Sequence, residues 1–184
     1  MSSATVAPRR RLVFDTMILS AFAEADRLDV LGDLLAGEDC YTTDIVLDEV
    51  RQGGLTRPFL SAVEDAEWLG GGSLATDAEL AALLAWVQLV GSGNHDLGEA
   101  SVFAFAEIHG AIAVTDDRAA TRVARKFGLK VHGTLWLVAG FHADGKLTEH
   151  AASVLIESLR AVGLHLPCTG SQFPAWAKAH GLLP

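Results

Sequence analysis

Residues Arg11–Asp15 read RLVFD, and residues Ala111–Asp117 read AIAVTDD. Each is a short apolar run closed by carboxylate, the pattern of a buried strand with its polar groups at the C-terminal end. Cys40–Thr42 and Leu129–His132 are two further short strand candidates. Helical periodicity fills the intervals: Ile18–Ala23, Leu28–Leu35, a helix capped by Thr43 or Asp44 and stopped by Gly53-Gly54, and one across Pro58–Ala66. Thr76-Asp77-Ala78-Glu79 is a capping box, and behind it Leu80, Leu83, Leu84, Val87 and Val90 share one helical face. Leu97–His109 is the next helix, with Asp96 as its expected N-cap. Ala120, Val123, Ala124 and Phe127 align after Asp116-Asp117, and Gly133-Thr134 starts another helix. The tail carries a helix with Leu155, Leu159 and Val162 aligned, and a last one over Pro174–Ala179. Strands that short, alternating with amphipathic helices, predict a parallel α/β sheet, because parallel neighbours need helical crossovers. Gly70-Gly71-Gly72-Ser73 is the nearest thing to a linker, and Gly91-Ser92-Gly93-Asn94 reads as a loop.

Composition narrows the function. The 184 residues are 50% hydrophobic, enough for one domain with a sizeable core. No apolar run approaches the roughly 20 residues of a membrane span, and Met1–Arg11 lacks the pattern of a secretory signal. Cys40 and Cys168 make neither a disulfide framework nor a metal motif and are expected as reduced thiols in a cytoplasmic protein. The formal charge is −9, so the overall field repels nucleic acid; a nucleic-acid role needs a local basic patch or a bound cation. Arg118, Arg122, Arg125, Lys126 and Lys130 supply such a patch, or else a solvated helix face. The seven histidines show no zinc spacing, Ser101 has no nucleophile motif around it, and no phosphate-binding glycine loop occurs.

In a parallel sheet the ligand crevice lies beyond the carboxyl ends of the strands, which directs attention to the acids. Asp15, Asp116 and Asp117 end strands, while Glu49 and Glu99 sit in the first turns of helices. Each has an ordinary reading. Asp116 or Asp117 can cap a helix, Glu49 can be solvated, and Glu99 suits a helix N-terminus. Asp15 is harder to dismiss, since its neighbours are apolar and a free carboxylate there is costly. Acids gathered on one edge repel, and a hard divalent cation such as Mg²⁺ or Mn²⁺ relieves that repulsion.

The stretches LVFDTMILSAF (Leu12–Phe22), TTDIVLDEVRQG (Thr42–Gly53), DLGEASVFAFAE (Asp96–Glu107) and AVTDDRAATRVARKFGLKVHGTL (Ala113–Leu135), in that order, resemble the PIN domain. They are closest to the branch that holds VapC-type toxins and their GE-motif relatives. The resemblance implies a three-layer α/β/α fold over residues 11–140 with a central parallel sheet. It leaves residues 1–10 as a disordered N-terminus and residues 141–184 as a helical extension packed on the same domain. It further implies a metal-dependent ribonuclease. Asp15, Glu49, Glu99 and Asp117 match the family's acids, and Asp15, Glu99, Asp116 and Asp117 would hold Mg²⁺ or Mn²⁺. Thr16, Thr115, Arg118 and Arg122 are the expected substrate contacts. Met17 stands where the family usually has Asn or Ser, and Glu99 replaces the usual Asp, as in the GE branch. Expected partners are RNA, an antitoxin protein and a second copy of the chain. The apolar faces of Leu80–Val90 and of residues 147–163, with Leu164, Leu166, Phe173 and Trp176, are the expected surfaces for them. Rival expectations are a catalytically weak or inactive PIN-fold scaffold, favoured by Met17, and a receiver-like phosphoacceptor. The latter wants an acidic pair at the first strand end and a lysine after the last strand, and has neither here.

Overall fold

The computed structural model describes residues 9–91 and 94–184, with Asn94 and His95 described by backbone alone. Of the N-terminus expected to be disordered over residues 1–10, residues 1–8 lie outside the described residues, as do Ser92-Gly93 of the expected loop. From Arg10 onward the chain is tied down: its N–H and guanidinium both donate to Glu38, and its carbonyl accepts from Asp39 N–H at 2.9 Å.

Five parallel strands form one sheet in the order β3-β2-β1-β4-β5. They are β1 (Arg11–Phe14), β2 (Asp39–Thr43), β3 (Gly70–Gly72), β4 (Ile112–Val114) and β5 (Val131–His132). The helices are α1 (Thr16–Glu24), α2 (Leu28–Leu34), α3 (Asp44–Gly54), α4 (Ser61–Glu64), α5 (Asp77–Val90), α6 (Asn94–His109), α7 (Arg118–Lys126), α8 (Thr134–Ala143), α9 (Glu149–Ala161) and α10 (Phe173–Ala179), with a 3₁₀ turn at Pro58–Leu60. Leu12, Val13 and Phe14 of the central strand are fully buried, as are Ile18, Leu19 and Phe22 of α1, Phe103 of α6 and Val114 of β4. The chain winds outward from β1 through β2 to β3, then returns to place β4 and β5 on the other side. The strand order therefore reverses between β1 and β4, and that switch point is where such sheets open a crevice.

The structure departs from the sequence expectations at identifiable places. The Gly70–Gly72 run is an edge strand, paired with Tyr41–Thr43, not a linker. A Cβ on Gly72 would stand 2.5 Å from the Phe105 ring, so the absence of side chains lets α6 lie close over this edge. Gly53 and Gly54 belong to α3 instead of ending it, and the Pro58–Ala66 helix is divided into the 3₁₀ turn and α4. Asp96 is not the N-cap of its helix, because α6 begins two residues earlier. On α5, Leu80 and Leu84 are exposed while Glu79 and Trp86 of the same helix are buried; Phe127 is also exposed. Leu164, Leu166 and Phe173, expected as partner surface, are buried in the same cluster as β1.

Candidate active site

Register determines which acids meet. Phe14 pairs with Val114, so Asp15 and Thr115 leave adjacent strands side by side. Asp15 N–H donates to Val114 O at 3.1 Å, and Thr115 N–H to His132 O at 3.0 Å. Asp15 caps α1 by accepting from Thr16 N–H at 2.8 Å. Its second oxygen accepts the Thr115 hydroxyl at 3.1 Å, and that hydroxyl in turn accepts from Asp117 N–H at 3.2 Å. Thr115 is thus a hub between two strand-end acids. Thr16 sends its hydroxyl proton to Glu49 Oε2 at 2.5 Å, linking α1 to α3. Both threonines, expected as substrate contacts, orient carboxylates.

Asp117 is the N-cap of α7, accepting Ala120 N–H at 2.7 Å. Asp116 turns the other way, onto the N-terminus of α8, where Thr134 N–H donates at 3.0 Å. Its remaining oxygen is buried and has no hydrogen-bond partner among the described residues. Gly133 makes room for the carboxylate, since a Cβ there would overlap Asp116 Oδ1. Gly98 does the same for Glu49: a Cβ would lie 2.6 Å from either carboxylate oxygen. The glycine that precedes Glu99 is therefore a packing requirement of the acid cluster.

The electrostatics follow from burial and crowding. Burial raises the Asp15 carboxyl to about 6, with Glu49 adding repulsion and the Thr115 and Thr16 hydrogen bonds opposing it. Glu99 is raised to about 8, by burial first and then by the charges of Asp15, Asp117 and Asp96. Asp116 is also raised, mainly by burial, with Thr134 and then Arg118 opposing. Among the described residues no salt bridge reaches Asp15, Glu99, Asp116 or Asp117. As the side chains stand, no three acid, histidine or cysteine groups among the described residues lie close enough to hold an ion. The donor chemistry nevertheless fits a hard dication. It is all carboxylate oxygen, raised in pKa by burial and, at Asp15 and Glu99, by neighbouring carboxylates, with one oxygen of Asp116 unsatisfied.

These acids line an open cleft of about 1410 Å³ at the switch point. Arg118 lies on its rim and also on a smaller groove of about 490 Å³ along α7, with Thr121, Arg122, Arg125 and Lys126. Arg122 belongs to that groove and does not line the acid cleft. Arg125 donates to Val131 O at 2.9 Å, so part of the basic patch braces β5. Sequence reasoning missed three contributors to the cleft: Arg57 beyond α3, Asp96 as a neighbour of Glu99, and the turn after α9. No short-range pattern marks them. Among the described residues no helix is long and apolar enough to cross a membrane.

A protein-family model described as a PIN domain matches residues 11–170, most of the chain. A search of curated proteins returned no match.

Proposed function

Because the chain belongs to the PIN-domain family, we propose that it is an endoribonuclease that hydrolyses RNA phosphodiester bonds with Mg²⁺ or Mn²⁺. The observation that carries this reading is the convergence of Asp15, Glu99 and Asp117 on one cleft at the β1/β4 switch point, where burial first and then the charges of Asp15 and Asp117 raise Glu99 to about 8. A bound dication would supply charge neutralisation at the phosphate and a more acidic water. Asp15 and Glu99 would hold it, with Asp116 and Asp117 beside them. Thr115 fixes the carboxylate of Asp15 and accepts the backbone N–H of Asp117, and Thr16 holds Glu49 where it can accept a proton from water or orient it. Arg118, which lines the same cleft, would contact the phosphate.

The test is cleavage of structured and unstructured RNAs with Mn²⁺. Asp15→Asn is expected to cut activity by about 100-fold or more. If wild type and Asp15→Asn both leave every RNA intact, the protein is a PIN-fold scaffold.

The finer part of the reading places the protein in the cytoplasm as the VapC-like toxin of a toxin–antitoxin pair that acts as a homodimer. Its support is resemblance in motifs together with an exposed apolar row: Leu80 and Leu84 stand one turn apart on α5 and are 43% and 65% exposed. A small protein encoded nearby that binds the chain and blocks cleavage supports it. Binding by no neighbouring product removes the toxin assignment, and light scattering near 19.4 kDa removes the dimer.

A further inference from the structure

One wall of the acid cleft carries no acid. It is built from the end of α9 and the turn that follows, Val162–Leu166. That turn is held in one shape. Gly163 adopts φ +95°, and the N–H groups of Gly163 and Leu164 close α9 onto Arg160 O and Leu159 O at 3.0 and 3.1 Å. Leu166 N–H reaches back to Leu164 O at 3.1 Å. Arg160 Nη1 clamps the far side, donating to Leu166 O at 3.1 Å and Cys168 O at 3.2 Å. Leu164 and Leu166 are buried anchors, and His165 between them is exposed and lines the cleft. The imidazole is thus presented to the cleft from a backbone fixed on both sides.

α1 contributes a second stretch of lining, with one acid, Glu24, at its C-terminal end. Met17, Ser20 and Ala21, at i, i+3 and i+4, all line the cleft. Met17 is exposed, and Ser20 Oγ is buried with no hydrogen-bond partner among the described residues. Thioether, methyl and isopropyl groups offer nothing to a phosphate, whose natural contacts in the cleft are the guanidinium groups of Arg57, Arg118 and Arg160. They suit the face of a flat, mostly apolar ring.

We propose that the Val162–Leu166 turn and the Met17–Ser20–Ala21 face form a nucleobase subsite for single-stranded RNA, with His165 as the ring on which the base stacks. The subsite rests on the nuclease reading and extends it: the base of a nucleotide next to the scissile phosphate is gripped by the C-terminal extension, so the extension is part of substrate recognition. A ring held on an anchored turn loses little freedom when a base stacks on it, which favours binding.

The experiment uses the full chain, Ca²⁺ and a short fluorescein-labelled single-stranded RNA, with binding read by anisotropy, alongside the same strand made abasic. Wild type and His165→Phe are expected to bind the RNA alike, and His165→Ala to bind it about 5- to 100-fold more weakly, the range of one base–aromatic stack. The abasic strand is expected to bind wild type and His165→Ala equally. Since His165 is exposed, thermal melts of the three proteins should coincide. Equal RNA binding by wild type and His165→Ala overturns the subsite while leaving the nuclease reading intact. An equal loss on the abasic strand also overturns it, because the contact would then be to phosphate or sugar. If wild type neither binds nor cuts RNA, the nuclease reading and the subsite fall together.

Discussion

Replacing Glu99 by glutamine is expected to stabilise the metal-free protein at alkaline pH. The carboxyl is raised from 4.5 to about 8, by burial first and then by Asp15, Asp117 and Asp96. A raised acid binds more protons folded than unfolded, so folding stability falls as pH climbs between those two values. The protonated side chain makes its full contribution below about 4.5, and that contribution is gone above about 8. One pKa unit corresponds to about 1.4 kcal/mol, which bounds the penalty at about 5 kcal/mol. Glu99 is only partly enclosed, and solvent screening lowers the expected effect to about 2 kcal/mol. Urea denaturation in EDTA at acid and alkaline pH measures it. Wild type and Glu99→Gln should nearly coincide at the acid end, and the variant should be more stable by about 2 kcal/mol at the alkaline end. Adding Mn²⁺ should then stabilise wild type more than the variant, because bound metal stabilises in proportion to its affinity for the folded state. A variant no more stable than wild type at alkaline pH, in the absence of metal, would refute the burial and crowding that raise Glu99.

Gly98→Ala places a methyl 2.6 Å from the Glu49 carboxylate; cleavage should fall about tenfold or more, while helix propensity keeps the melting temperature from dropping, as calorimetry can check. Gly72→Leu drives a side chain into the Phe105 ring at the sheet edge and is expected to cost about 1–3 kcal/mol in denaturant unfolding. Arg118→Ala, on the rim of the acid cleft, should reduce cleavage more than Arg122→Ala, whose side chain lines only the α7 groove; equal effects in a cleavage assay would place the substrate elsewhere. Thr115→Val removes the hydroxyl shared by Asp15 and Asp117, and should cost about 1–3 kcal/mol of stability as well as activity.

Local pattern carried the fold a long way. RLVF and IAV are too apolar and too short for anything but buried strands, and the caps at Thr43, Thr76 and Asp117 set helix starts through bonds to N–H groups three residues on. The acids at 15, 49, 99 and 117 were legible because strand ends and helix starts are local properties, and the parallel topology delivers such ends to one edge. The Gly70–Gly72 strand was not legible. Three glycines carry no strand preference, and the pairing with Tyr41–Thr43 under Phe105 is made by residues more than 25 positions away in the sequence.

By itself the sequence determined the α/β alternation, the acids and the order in which they occur, since each rests on contacts between near neighbours in the chain. Tertiary structure alone decided the rest. It set the register that puts Thr115 between Asp15 and Asp117, turned Asp116 toward α8, buried Leu164 and Leu166, and brought His165 into the cleft 150 residues after Asp15. Those outcomes depend on how strands pair and helices pack across long separations, where burial and hydrogen-bond satisfaction are properties of the whole core and of no local stretch.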